Sequence, residues 1–402
     1  MKILYLSTAL SDEVYDDIVR RSKRFKPTFS GVGFDRNVAT GLSDMVNIRG
    51  ISLYPIPSYP KYSQIYQPSQ SYSQGSFDCY IPGMISLPFV KELCFAVKAY
   101  KQIRKERKTG EQFVILVSGL YRSLLRPALW AKNRYGIPVV ALVPDLPEQM
   151  ILYRKDYSKL RTILNKWDLS LSKKYRKDID GFVELSPYMN SYANEEGKPF
   201  VIMDGLCNLE LLDGVEASPA IDTKYIMYAG KVSSTFGVDK LVEAFLSLGS
   251  NGYSLVICGD GDYAPKLKEI SKQHSRIVFK GSVTHDAVVA MEKAASLLVE
   301  PRPSDTAIAK MSFPSKIIEY MASGTPVLVT NIPSFEPAYS NHQYRIDEES
   351  VEGIASALKD TLSLPESMLR EKGESAKEFV LNNKTIQKQC ERIVGLLQEV
   401  SR

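Results

Sequence analysis

The chain has 402 residues, 44% hydrophobic and 24% charged, with a formal net charge of +5. That length exceeds one ordinary core and suits two domains of about 200 residues each, in a composition typical of folded soluble chains. So mild a charge argues against a nucleic-acid binder, and no apolar run approaches the roughly 18–20 residues that span a bilayer.

The first ten residues, MKILYLSTAL, carry one Lys and a short apolar run before DEVYDD. A secretory leader needs a longer apolar region and a small-residue cleavage site. The segment reads instead as a first buried strand over 2–7, and a cytoplasmic location is expected. A helix starts within 33–42. Residues 55–82 are rich in Tyr, Ser, Pro and Gln and read as a long surface loop or lid, or an insertion without a role. The run FVILV at 113–117 is a buried strand, because continuous apolar runs suit a sheet covered on both faces. A helix over 123–135 follows, then a strand over 138–143 ending at Pro144-Asp145, and another strand over 181–185. This alternation implies a parallel, doubly wound sheet.

The second half repeats the rhythm. Strands are expected at 225–229 (YIMYA), 254–258 (SLVIC), 277–279, 296–299 and 326–330, with helices at 238–248, 266–273, 286–295 and 315–322. Gly, Pro, Asp and Ser cluster at 204–223 and mark a boundary. The reading is a first domain over 1–205, a second over 206–384, and a final helix at 385–402 that rejoins the first.

Five cysteines (79, 94, 207, 258 and 390) are odd in number and form no CxxC pair, so reduced core thiols are expected. Three isolated histidines (274, 285 and 342) make no ligand motif. No metal is expected.

Ligands of doubly wound sheets bind outside the carboxyl ends of the strands. In the second half those ends carry Gly230-Lys231, Gly259-Asp260-Gly261, Lys280-Gly281 and Glu300-Pro301-Arg302. Glycine there permits close approach to the backbone, and Lys and Arg suit an anion. The helix beginning near Ser315 offers unpaired N–H groups and a positive dipole end to a phosphate. Lys316 is poorly placed for helix stability unless an anion is present. A solvated lysine is the bland alternative. Glu319 shares its face at i+3. It reads as an intrahelical ion-pair partner, or as a carboxylate that accepts both hydroxyls of a vicinal diol.

The blocks YAGKVSSTFGVDKLVEAF, CGDGDY, FKGSV and FPSKIIEYMASGTPVLVT resemble family 4 glycosyltransferases, of the type that builds bacterial capsule, O-antigen and exopolysaccharide. The likeness is strong over 225–330. It extends weakly into the first half through SGVGFDRNVATGL, PDLPE, ELSPYM and VIMDGLCN. It implies an α/β chain of GT-B architecture, two doubly wound Rossmann-like domains facing a cleft, with a hinge near 204–223. It implies that Lys231 contacts the donor diphosphate and Glu319 binds the nucleotide ribose. Gly259, Asp260 and Gly261 match a turn beside the nucleotide, and Gly281 a segment flanking the base. Gly31 and Gly33 match a loop that closes over the diphosphate and sugar. Asp145 falls where the family often has a His-Asp pair. Gly230, Ser315 and Lys316 complete the donor set.

The departures are specific. The family's first glutamate falls at Met311, its second diphosphate-binding base at Phe236, and the histidine of its pair at Pro144. Asp305, Ser312 or a backbone group would then hold the sugar hydroxyls, and Lys316 the missing charge. Asp145 stays open between a catalytic group and a turn or helix-cap carboxylate.

The implied reaction moves a sugar from a nucleoside diphosphate to a glycan hydroxyl with retention of configuration. Asp145, Lys231 and Lys316 are its catalytic residues, and it needs no cofactor beyond the sugar nucleotide as co-substrate. The basic, aromatic-rich stretch 154–177 and KQIRKERK at 101–108 suit an anionic membrane surface. A solvated face is the alternative. A polyprenyl-diphosphate-linked acceptor would place the protein peripherally on the inner face of the membrane. Two rivals remain. A degenerate GT-B subunit assisting a partner transferase fits the missing glutamate. A sugar-nucleotide 2-epimerase would need acid/base groups that are hard to place here.

Overall fold

A computed structural model of the chain describes residues 1–22, 29–88, 90–148, 159–250 and 252–402. The chain divides into two compact units, Met1–Met203 with Gln389–Arg402, and Asp204–Lys388.

The first unit holds an eight-stranded sheet. Its spatial order is Phe200–Ile202, Gly181–Glu184, Val139–Val143, Phe113–Ser118, Lys2–Ser7, Asn47–Ser52, Phe77–Ile81 and Gln70–Gln74. All neighbours are parallel except the last pair. Every residue of Lys2–Ser7, Phe113–Ser118 and Val139–Val143 is buried, which is why these strands read as continuous apolar runs. The helix Ile386–Val400 buries Cys390, Ile393 and Leu397. Its Arg392 donates to the carbonyl of Ile202 at 3.0 Å.

The loop expected at 55–82 contains three strands. Gln70–Gln74 and Phe77–Ile81 form a hairpin on the sheet edge, in a register that pairs Gln74 with Phe77 and leaves a two-residue turn. Gly75 in that turn has φ +57°, as such hairpin turns require. Phe77, Cys79 and Ile81 are buried while Asp78 is exposed. That period of two was hidden by the Ser, Tyr and Gln around it. Tyr66–Gln67 also pairs with Met84–Ile85.

The second unit is a six-stranded, wholly parallel sheet. Its order is Ile277–Gly281, Ser254–Cys258, Tyr225–Ala229, Leu297–Glu300, Val327–Thr330 and Tyr344–Ile346. Numbered along the chain, that order is 3-2-1-4-5-6, the doubly wound dinucleotide-binding arrangement. The winding reverses between Tyr225–Ala229 and Leu297–Glu300. Ligands of such sheets bind at that reversal, beyond the carboxyl ends.

Candidate functional site

The carboxyl ends of the second unit's strands are tied together by backbone. Gly230 N–H donates to Cys258 O at 3.0 Å, Val232 N–H to Asp260 O at 3.0 Å, and Gly259 N–H to Gly281 O at 2.8 Å. A Cβ on Gly259, at φ +129°, would lie 1.8 Å from the carbonyl oxygen of Gly230, and one on Gly261 2.1 Å from that of Val232. Both glycines therefore serve first to let these turns touch one another, where close approach of a ligand was expected. Gly281 has open space and φ +67°, so its requirement is conformational. Asp260 is exposed and accepts from Gly261 N–H at 2.8 Å.

Two tyrosines set the turn at Gly230-Lys231. The Tyr228 hydroxyl donates to Lys231 O at 2.9 Å. The Tyr320 hydroxyl accepts from Ala229 N–H at 2.6 Å and donates to Ala229 O at 3.0 Å. Tyr320 thereby fixes its own helix, Lys316–Ala322, to the strand end that carries Lys231.

Lys231 is exposed, with Nζ 5.9 Å from the centroid of the Phe236 ring. The guanidinium of Arg302 lies over the same ring at 4.8 Å. The turn holding Phe236 rests on the Arg302 segment, since a Cβ on Gly237 would lie 2.1 Å from Pro301 O. Arg302 Nε is 3.6 Å from Glu300 Oε1. Burial raises the Glu300 carboxyl above its ordinary range, and Arg302 opposes that shift.

Lys316 and Glu319 form the ion pair that is one of the two sequence readings. The structure adds two members. Glu292, whose side chain has no exposure, places Oε1 3.7 Å from Lys316 Nζ. His285 Nε2 lies 3.4 Å from Glu319 Oε2. Burial and then Glu319 push the Glu292 carboxyl well above the carboxylate range, with Lys316 pulling the other way. Burial alone would lower Lys316, but Glu292 and Glu319 outweigh it and hold its ammonium above the ordinary value. The missed signal is periodicity. Glu292 stands at i+4 from Val288 and i+3 from Val289, on the buried stripe of His285–Ala294. Ser315 caps a helix of only seven residues without a side-chain cap bond.

In the first unit, Gly31 and Gly33 lie within the helix Phe29–Ser43, where a loop was expected. Asp145 follows the strand Val139–Val143, and burial pushes its carboxyl up to about 6. Glu184, at the end of the neighbouring strand, is fully buried and pushed up to about 8 by burial alone. Neither of its oxygens has a hydrogen-bond partner among the described residues. Buried Asp35 accepts from Tyr5 Oη (2.9 Å), Thr8 N and Oγ1 (2.7 Å each) and Ser118 Oγ (2.5 Å). It locks its helix to two adjacent strand ends. Both acids stand in motifs quoted above, but nothing local marks them as buried. Residues 154–158 of the basic stretch lie outside the described residues. Its continuation is the helix Lys159–Arg176, on which Trp167 is 54% exposed and Arg122 stacks at 5.0 Å. Among the described residues no helix is long and apolar enough to cross a membrane, and no group of three or more His, Cys, Asp and Glu side chains could hold a metal ion.

Two doubly wound units, the second with a basic, glycine-turned carboxyl edge, define the GT-B architecture. Residues 216–379 match the family model described as glycosyl transferases group 1, so the second unit carries a domain of that kind. A curated relative, the O-antigen chain mannosyltransferase RfbU of Salmonella typhimurium strain LT2, is 29% identical over 125 residues, 30% of this chain. That stretch spans 34% of the relative's length. Sucrose-phosphate synthase from Thermosynechococcus elongatus superposes with a TM-score of 0.65 at 13% identity, over 100% of this chain and 99% of its own. WaaG, a glycosyltransferase involved in lipopolysaccharide biosynthesis, does so at 0.60 and 13%, covering 99% of each chain.

Proposed function

We propose that the chain is a retaining, family 4-type glycosyltransferase of bacterial surface-polysaccharide synthesis. It moves a sugar from a nucleoside-diphosphate donor to a hydroxyl of a glycan acceptor, lipid-linked through a polyprenyl diphosphate. The observation that carries this reading is the reversal of strand order in the second unit, where cations and Glu319 gather at one carboxyl edge. The group 1 match over the same unit supports it.

The demanding event in such a transfer is departure of the diphosphate. Positive charge fixed before reaction stabilises it without reorganisation. Lys231 and its neighbouring cations supply that charge here, so turnover persists in EDTA. Glu319 takes the ribose diol. Gly230, Gly259, Asp260, Gly261 and Gly281 shape the turns around the nucleotide, and Ser315 precedes the helix carrying Lys316 and Glu319. Gly31, Gly33 and Asp145 are the residues of the first unit that the resemblance assigns to donor handling. Asp145, with its carboxyl near 6, is poised to exchange a proton near neutrality. Trp167 and the exposed Lys166, Lys173 and Lys174 would meet anionic lipid at the inner face of the membrane.

The test is nucleotide release on adding donor and acceptor, with a panel of sugar nucleotides and lipid-linked acceptors. Wild type should turn over, and Lys231→Ala and Glu319→Ala should each lose at least tenfold in kcat/KM. Binding without turnover across the panel would favour the assisting subunit. A wild-type chain that neither binds nor turns over any donor refutes the reading.

A further inference from the structure

The cations at the carboxyl edge of the second unit are not equivalent. Lys316 is committed to protein. Its ammonium lies between Glu319 and the buried Glu292, whose carboxyl burial pushes toward the protonated form, so Lys316 and Glu319 already neutralise one another. A lysine so paired is a weak counter-charge for a diphosphate, which would have to compete with the Glu319 carboxylate already in place. The same geometry makes it a good holder of Glu319. Lys316 engages one carboxylate oxygen and His285 faces the other at 3.4 Å.

Lys231 and Arg302 are placed differently. They follow the adjacent strands Tyr225–Ala229 and Leu297–Glu300, the two between which the winding reverses. Both reach one aromatic ring, that of Phe236. The resemblance led one to expect a second basic residue at that very position. The missing charge is present, delivered from a neighbouring strand. Arg302 is only 12% exposed in its side chain, and its Nε is buried without a hydrogen-bond partner among the described residues. A guanidinium desolvated to that degree needs an anion, and among the described residues Glu300, 3.6 Å from Nε, is its one ion-pair partner. Its planar fork suits two oxygens of a phosphate at once, which an ammonium cannot match.

We propose that Arg302 joins Lys231 as the second cation of the donor diphosphate clamp, and that Lys316 is a positioning residue that aims Glu319 at the ribose. The assignment rests on the second unit being a nucleotide-sugar site.

The experiment compares binding of GDP with guanosine and of UDP with uridine, using whichever pair the wild-type chain binds, by calorimetry or ligand-observed NMR. Arg302→Gln should weaken the diphosphate at least tenfold and leave the nucleoside within about twofold. Lys316→Met should weaken diphosphate and nucleoside by the same factor, and should not affect the 2′,3′-dideoxynucleoside, which lacks the diol. Arg302→Lys, which keeps the charge and loses the fork, should lie between wild type and Arg302→Gln, and carries the test if the glutamine variant does not fold. Unchanged diphosphate affinity in the Arg302 variants overturns the clamp. A Lys316→Met loss confined to the diphosphate overturns the positioning role. A wild-type chain that binds none of the four ligands overturns the donor site itself, and this assignment with it.

Discussion

Replacing Glu184 by Gln should change how the first unit's stability depends on pH. Glu184 ends the strand next to the sheet's edge, with no exposure and no partner for either carboxylate oxygen among the described residues. Burial moves its pKa from 4.5 to about 8. Because the folded value lies above the unfolded one, the fold favours the protonated acid. That contribution is complete below pH 4.5 and is lost as pH rises through about 8. The shift is 8 − 4.5 = 3.5 units, each worth about 1.4 kcal/mol, so the wild type sheds at most about 5 kcal/mol across the window from this one group. Glutamine keeps the shape and never ionises. The wild-type-minus-variant difference should therefore fall by about 1.4 kcal/mol per pH unit between about pH 5 and 8. Both tryptophans of the chain, Trp130 and Trp167, lie in the first unit. Their fluorescence in urea titrations at pH 5, 6.5 and 8 reports on this unit. Taking the difference cancels the other titrating groups, Asp145 among them. A difference that is flat with pH refutes the reasoning.

Gly259→Ala should destabilise the second unit by at least about 2 kcal/mol, since its Cβ would meet the Gly230 carbonyl at 1.8 Å. Nucleotide binding should go with it, and calorimetric unfolding at an unchanged midpoint would contradict this. Lys384→Met should cost about 3–5 kcal/mol, because it removes the ammonium that faces a buried carboxylate. Lys384 is fully buried, 2.7 Å from both oxygens of Asp204 and 3.0 Å from Glu336, over the rings of Tyr339 and Phe379. Urea unfolding followed by circular dichroism checks it. The double variant Asp204→Asn with Lys384→Met should cost less than the sum of the two single changes.

Much of the fold is legible without coordinates. Apolar runs such as 113–117 and 225–229 announce strands covered on both faces, because a parallel sheet wrapped by helices leaves no face for polar side chains. Their alternation with helices is enough for a doubly wound reading. The hairpin at 70–81 was lost because its period of two runs through Ser, Tyr and Gln, residues that composition assigns to loops. Lys231 and Glu319 were legible as candidates because they sit at fixed offsets from a strand end and a helix start, which are local features. Glu292 was not, and Arg302 was legible only as one of several basic residues at a strand end. Glu292 matters because the fold sets it against Lys316 on another helix, and Arg302 because strand order places it across from Phe236. Local sequence determined which residues reach the carboxyl edge of the sheet. Only the tertiary structure decided which of them meet there, because charge pairing and burial depend on neighbours that are remote along the chain.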